Sequence, residues 1–227
     1  MKNENKPDFE SLKDKIIACK KCSRLTKYIS EISTNKVRRY KDWSYWGKPL
    51  SGFGDYNAKL LIIGLAPAAH GGNRTGRMFT GDKSGDWLIK ALWLTGFSNK
   101  STSISRDDGL KLMNVYISAI IRCAPPKNKP LKEEIDHCSE FLLKEIKLLK
   151  NVRIILTLGK IAFDTFIQYA FEKDDRSRFK FSHGATYELK HSILIASYHP
   201  SKQNTQTGRL TWEMWIEIFE KIKEILN

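Results

Sequence analysis

Four short apolar runs constrain this chain more than any other feature: KLLIIG (59–64), NVYISAIIRC (114–123), VRIILTLG (152–159) and SILIAS (192–197). Each is too short for a buried helix and lacks the alternation of a strand with one wet face. Each therefore reads as a strand covered on both sides. Segments of helical periodicity lie between and around them. SGDWLIKALWLTGF (84–97) has Ser84 as a cap and Gly96 near its end. LKEEIDHCSEFLLKEIKLLK (131–150) carries Glu133 and Glu134 in its first turn, where the helix dipole favours them. GKIAFDTFIQYAFEK follows the third run, and LTWEMWIEIFEKIKEIL (210–226) closes the chain. A further helix is expected over FESLKDKIIACKKCSRLTKYISEI (9–32), with Leu12, Ile16 and Ile17 on one face. This alternation predicts an α/β fold, a three-layer α/β/α sandwich around a mostly parallel four-stranded sheet. One domain over 1–227 is expected, with 1–7 as a frayed tail.

Sites in such sheets collect beyond the carboxyl ends of the strands. Three strands end there in the least ordinary stretches of the chain: GLAPAAHGGNRTGRMFTGDKSG (64–85), CAPPKNKP (123–130) and YHPSKQNTQTGR (198–209). These are expected to converge on one cleft. In the glycine-rich stretch, backbone amides can approach a phosphate or a base edge closely, and Arg74 and Arg77 add positive charge. GRMFTGDKS narrowly misses the phosphate-binding pattern GxxxxGK[ST]. Asp82 intrudes between Gly81 and Lys83 and puts a carboxylate where a phosphate would sit, which argues against a nucleoside triphosphatase. Asp82 can also cap the helix that begins near Ser84. Phe79, in a polar loop, either stacks on a ligand or plugs the core beneath.

The 39 Lys and Arg residues outnumber 25 Asp and Glu, a formal net charge of +14. That balance favours a polyanionic partner, nucleic acid first and an acidic membrane second, against the plainer alternative of a Lys-rich proteome. Neither end carries an apolar segment long enough for a span or a signal peptide, so a cytoplasmic, intracellular protein with reduced thiols is expected. Cys19 and Cys22 form a CxxC within the first expected helix; Cys123 ends a strand and Cys138 lies in a helix. Four thiolates fit tetrahedral zinc or a cubane iron–sulfur cluster, with four unrelated buried cysteines as the alternative. A thioredoxin-type motif would follow a strand and open a helix, and this one does not.

YWGKPLSGFGD (45–55), the 64–85 stretch, CAPPKNKP, HPSKQNTQTGR (199–209) and the cysteine spacing together resemble the iron–sulfur uracil-DNA glycosylases, specifically family 5, the b type. The resemblance runs from Cys19 to the final helix. It implies a four-iron, four-sulfur (4Fe-4S) cluster on Cys19, Cys22, Cys123 and Cys138, and DNA containing deaminated bases as substrate. Such an enzyme must extrude the nucleotide before it can break the N-glycosidic bond. The resemblance places Gly64, Leu65, Ala66, Pro67, Phe79, Ala119 and Ser201 around the base, with Phe79 stacked on it. It gives His199 the uracil O2, where negative charge develops as the base departs. Family 4 relatives carry a carboxylate in a GEAPG-like loop after the first strand. Leu65 stands there in this chain and cannot activate water, so water handling passes to Asp82 and Asn128. The QNTQTGRL loop is implied to enter the DNA, its one apolar residue at the end; Lys202 and Arg209 join Arg74 and Arg77 as candidate phosphate contacts, and the KVRR run (36–39) is either another or a solvated basic face.

Uracil-specific relatives carry an asparagine four residues before the third cluster cysteine; here that position is Ala119. If Ala119 faces the pocket, hypoxanthine and xanthine are expected substrates beside uracil. In the opposite register Ser118 would line it. A monomer is expected, with a sliding clamp or an abasic-site endonuclease as protein partners and no membrane association. Two rival functions are a DNA-binding module with a merely structural cluster and a small iron–sulfur electron carrier.

Overall fold

The computed structural model describes residues 5–227. Its sheet has six strands, two more than the apolar runs alone suggest. In chain order they are β1 (Phe53–Gly54), β2 (Leu60–Gly64), β3 (Val115–Ala119), β4 (Ile154–Leu158), β5 (Thr186–Glu188) and β6 (Ile193–Ser197), arranged β1-β3-β2-β4-β6-β5. The central four are parallel. The added strands, β1 and β5, pair antiparallel at the two edges. Being two and three residues long, they carry no apolar run to announce them.

Helices cover both faces. On one side lie α4 (Lys83–Leu94) and α8 (Trp212–Leu226), whose Leu88, Ile89, Trp215 and Phe219 pack on Leu60, Ile62, Ile117, Leu156 and Ile195. On the other lie α2 (Ser23–Thr34), α5 (Lys132–Leu148) and α6 (Lys160–Ala170), whose Leu25, Ile29, Leu142, Phe163 and Phe166 pack on Leu61, Ile63, Ile155 and Leu194. Full burial of each such side chain contributes about 1.5–3 kcal/mol of transfer free energy, so the two-faced apolar pattern decides the layering. The short helices α3 (Gly72–Thr75) and α7 (Lys202–Gln206) lie in the loops after β2 and β6.

The helix expected over 9–32 is two helices. α1 (Lys6–Ile17) docks on α5 through Leu12, Ile16 and Phe141, and α2 begins only at Ser23. Cys22 is extended (φ −112°, ψ 93°), so the CxxC occupies the break between helices, not a helix interior. α1 also starts earlier than the supposed tail allows, with Pro7 in its first turn, where proline's missing N–H is harmless. Residues 1–4 of that tail lie outside the described residues. Among the described residues, no helix is long and apolar enough to cross a membrane.

Parallel register levels the strand ends: Gly64 stands opposite Ala119, Ile63 opposite Thr157, and Leu158 opposite Ser197. From β2 the chain runs through α4 to β3 on one side; from β4 it runs through α6 towards β6 on the other. The connections diverge between β2 and β4, the switch point at which α/β sheets open a crevice.

Candidate active site

One cavity of about 650 Å³ opens beyond these strand ends. Leu65, Ala66, Pro67, Phe79 and Asp82 reach it from the loop after β2, and Ala119 and Asn128 from β3 and the loop after it. Gly159, Lys160 and Ile161 come from the start of α6, and Tyr198, His199, Ser201, Lys202 and Arg209 from the segment after β6. The three unusual stretches do meet in one place.

Phe79 is held there by close packing, against backbone strain. Its φ is +48°, the left-handed region that bulky residues avoid. A β-carbon on Gly64 would lie 2.9 Å from the ring's Cζ, so Gly64 sits beneath the ring and not on the cavity wall. The ring centroid lies 6.1 Å from that of His199, the planes tilted by 33°. A flat molecule entering the cavity meets both rings.

Asp82 is the residue before α4, and its Oδ1 accepts the Gly85 N–H at 2.9 Å. The cap is therefore Asp82 and not Ser84, which is the second residue of the helix. Its other carboxylate oxygen packs against Gly71, where a β-carbon would overlap it. Burial raises the carboxyl above its usual range, against the Gly85 and Ser84 N–H groups and the charge of Arg74, with Asp86 adding to the rise. A carboxylate held by one oxygen, desolvated and facing a cavity is suited to orient or deprotonate water.

Asn128 and Lys127 both have positive φ, +56° and +54°, in the tight turn Pro126–Asn128. That turn presents Asn128 to the cavity, with its backbone N–H fixed to the Pro125 carbonyl at 3.1 Å. His199 follows β6; its carbonyl accepts from the Asn204 side chain at 2.8 Å, and a β-carbon on Gly159 would lie 3.2 Å from its own. Burial pushes its imidazole down to about 4, so the ring is neutral at pH 7 and can donate one hydrogen bond. Ser201 caps α7 through Asn204 N at 3.3 Å.

The register question resolves by partner. Ser118 donates to buried Glu145 on α5, while Ala119 faces the cavity. At residue 119 the wall offers only a methyl group.

Two arginines read as phosphate contacts are instead buried. Arg77, 5 % exposed, sets Nη2 against both Asp108 carboxylate oxygens at 2.8 and 2.9 Å and reaches Ser103, Thr80 and the Arg106 carbonyl. Arg74, 3 % exposed, lies between the rings of Tyr40 and Trp43. Neither lines the cavity. Guanidinium groups supply several donors to a loop otherwise short of side chains, and both are consumed in holding it. Lys202 and Arg209 are exposed at the rim, Arg209 over the Tyr198 ring at 4.7 Å.

Leu210, the apolar end of the QNTQTGRL loop, is fully buried in the core, so it does not project. An exposed apolar side chain stands at the rim elsewhere. Of the exposed large hydrophobics among the described residues, Ile161 alone lines the cavity, and it is 54 % exposed. It lies in the first turn of α6, one residue away from the face that buries Ala162, Phe163 and Phe166. An apolar residue off the buried face of an amphipathic helix was the signal for it.

The four cysteines gather where the α1–α2 break meets the end of β3 and α5. None is in a disulfide; Cys123 and Cys138 are buried, Cys19 and Cys22 half-buried. Burial, then Cys138, Glu134 and Cys19, pushes the Cys22 thiol up to about 11, and burial followed by the other three cysteines raises Cys123 as well. Among the described residues, no group of three or more His, Cys, Asp or Glu side chains closes on a single metal ion. Four close thiols outside any disulfide are a donor set suited to a thiolate-ligated metal group, and Cys22 Sγ also lies 3.6 Å from His137 Nδ1.

A family model described as the uracil DNA glycosylase superfamily matches residues 51–223. The chain is 43 % identical over 213 residues to a type-5 uracil-DNA glycosylase of Pyrobaculum aerophilum, covering 94 % of this chain and 91 % of that protein. It is 44 % identical over 221 residues to a type-5 uracil-DNA glycosylase of Thermus thermophilus, covering 96 % and 98 %. Similarity to a type-4 uracil-DNA glycosylase of Saccharolobus solfataricus is lower, 28 % over 202 residues, covering 85 % of this chain and 82 % of that one. With a family model over most of its length and full-length relatives at this identity, the chain belongs to the uracil-DNA glycosylase superfamily, among its type-5 members.

Proposed function

We propose that this protein is a monofunctional DNA repair glycosylase that removes uracil, and also hypoxanthine and xanthine, leaving an abasic site. The observation that carries the proposal is the meeting of Asp82, Asn128, His199 and Phe79 in one cavity at the ends of four parallel strands. An electron carrier has no use for such a cavity, and a DNA-binding module has no use for a desolvated carboxylate inside it.

In this reading the extruded base stacks on Phe79, an interaction of about 1–3 kcal/mol, and the Leu65–Pro67 backbone frames its edge. Neutral His199 donates to the base oxygen on which charge develops, without first losing a proton. Asn128 holds the water by its amide, while Asp82 orients it and stabilises the cationic sugar. Lys202 and Arg209 take the phosphates. Ile161 enters the space the base leaves; inserted apolar side chains stabilise an unstacked step.

Cys19, Cys22, Cys123 and Cys138 would hold a 4Fe-4S cluster, which when bound ties the amino-terminal helices to β3 and α5. The reaction itself is assigned wholly to the cavity residues. The product, an abasic site, must be consumed by an endonuclease that cuts there, and the enzyme acts as an intracellular monomer, with a sliding clamp a further partner. Breadth of substrate rests on Ala119. A methyl group offers uracil no paired amide, a contact that would discriminate by about 1–3 kcal/mol. It also leaves no buried polar group unpaired against a purine. Initial release rates from matched duplexes containing uracil, hypoxanthine or xanthine test it. Comparable rates are expected for uracil and hypoxanthine. A uracil preference beyond about a thousandfold would mean that another residue restores selectivity.

A further inference from the structure

Arg74 is a buried cation with no carboxylate within ion-pair distance among the described residues. Among the described residues it forms no ion pair, whereas its neighbour Arg77 is paired with Asp108. The guanidinium carbon lies 3.9 Å from the Tyr40 ring centroid and 4.0 Å from that of Trp43. Nε donates to the His70 carbonyl at 2.8 Å and Nη2 to the Gly81 carbonyl at 2.9 Å, while Nη1 is buried with no acceptor. A charge so withdrawn from water is costly, and two ring faces return only part of that cost. What the arrangement holds explains it. The Gly81 carbonyl belongs to the peptide that leads into Asp82. Gly81 has φ +74°, and a β-carbon there would strike the Arg74 guanidinium, so the turn is shaped around the arginine.

We propose that Arg74 is a positioning residue for Asp82: clasped by Tyr40 and Trp43, it fixes the Gly81–Asp82 peptide and sets an unpaired positive charge beside the carboxylate. The proposal rests on the role given to Asp82 above. It also assigns a task to the basic, aromatic segment around Tyr40 and Trp43, which otherwise reads only as a DNA-facing surface. Titratable and charged groups surround Asp82. Asp86, on the same helix, raises its pKa and Arg74 lowers it; Lys83, Lys160, Lys202, Arg209 and His199 stand around the same cavity. Burial already favours the neutral acid, so removing Arg74 moves the carboxyl further from ionisation as well as loosening its backbone.

The experiment compares wild type with Arg74→Met, Arg74→Lys and Tyr40→Leu on a uracil-containing duplex. Arg74→Met is expected to slow single-turnover base release by about 10²-fold, the effect of displacing a reacting group by roughly 1 Å. The acid limb of its pH–rate profile should move to higher pH, with DNA affinity and its salt dependence unchanged. Arg74→Lys, which keeps the charge but not the fork, should restore the acid limb and only part of the rate. Tyr40→Leu, altered from the half-exposed side of the clasp, should repeat the Arg74→Met pattern more weakly, and carries the comparison if Arg74→Met does not fold. A salt slope reduced by about 0.9 with an unmoved pH profile would make Arg74 a phosphate contact and overturn the proposal. So would lower thermal stability with an unmoved profile. If wild type released no base, the functional reading would fail separately, and carbon-13 titration of the Asp82 carboxyl would decide this one. A higher midpoint in Arg74→Met supports it and equal midpoints refute it.

Discussion

Gly71 is the surface against which the Asp82 carboxylate rests: a β-carbon at residue 71 would overlap its outer oxygen. A side chain at residue 71 and the Asp82 carboxylate cannot share that space, so the close approach requires glycine. Gly71→Ala should therefore push the carboxylate aside while leaving the cap on α4 to re-form. The expected result is a fall of about 10²-fold in single-turnover base release with DNA affinity kept. Circular dichroism melting would check that the fold survives.

The two buried titratable groups of the cavity act on stability in opposite directions. His199 has a folded pKa near 4 against 6.5 for the unfolded chain, so its contribution is fully present above about 6.5 and is lost as pH falls towards 4. Asp82 is raised, so its contribution is present at low pH and is lost as pH rises through its folded pKa. Denaturant unfolding between pH 4 and 7 should show a loss of stability on acidification that shrinks in His199→Gln. In Asp82→Asn the acid limb should steepen relative to wild type, because the opposing carboxyl is gone.

Cys138→Ser should bleach the brown colour expected of purified protein and loosen α1 and α2, which the cysteine segment joins to α5. Visible absorption, iron analysis and hydrogen exchange over residues 6–34 would read it. Stoichiometric zinc without iron after anaerobic purification would contradict the cluster and leave the fold intact.

Ile161→Ala should slow uracil release from duplex DNA more than from single strands, since only the duplex has a stack to hold open. Arg209→Ala should weaken binding to both and flatten its salt dependence by about one counterion. Equal losses on both substrates for Ile161→Ala would remove the wedge.

The central strands, the covering helices and the convergence of three loops were legible because buried parallel strands leave continuous apolar runs and must end level. The edge strands β1 and β5 were not, being too short to carry a pattern. The break at Ala18–Cys22 was hidden because no glycine or proline marks it, so nothing in ACKKC interrupts a helical reading. Arg74 and Arg77 misled for a physical reason: a cation in a glycine-rich loop reads as exposed, yet such a loop has few side chains with which to hold itself. Leu210 looked free for want of a helical pattern before it, but its backbone N–H reaches the Asn204 carbonyl at 3.0 Å and turns it into the core.

Single-turnover release of uracil from a duplex by wild type and Asp82→Asn tests the central claim most directly. Asparagine caps a helix about as well as aspartate, so the exchange keeps the hydrogen bond to Gly85 and removes only the base. Wild type should convert the uracil site to an abasic site with no nucleotide or free metal added. Asp82→Asn should do so about 10²–10⁴-fold more slowly with DNA affinity intact. An unchanged rate in Asp82→Asn would reduce Asp82 to a helix cap and contradict the account.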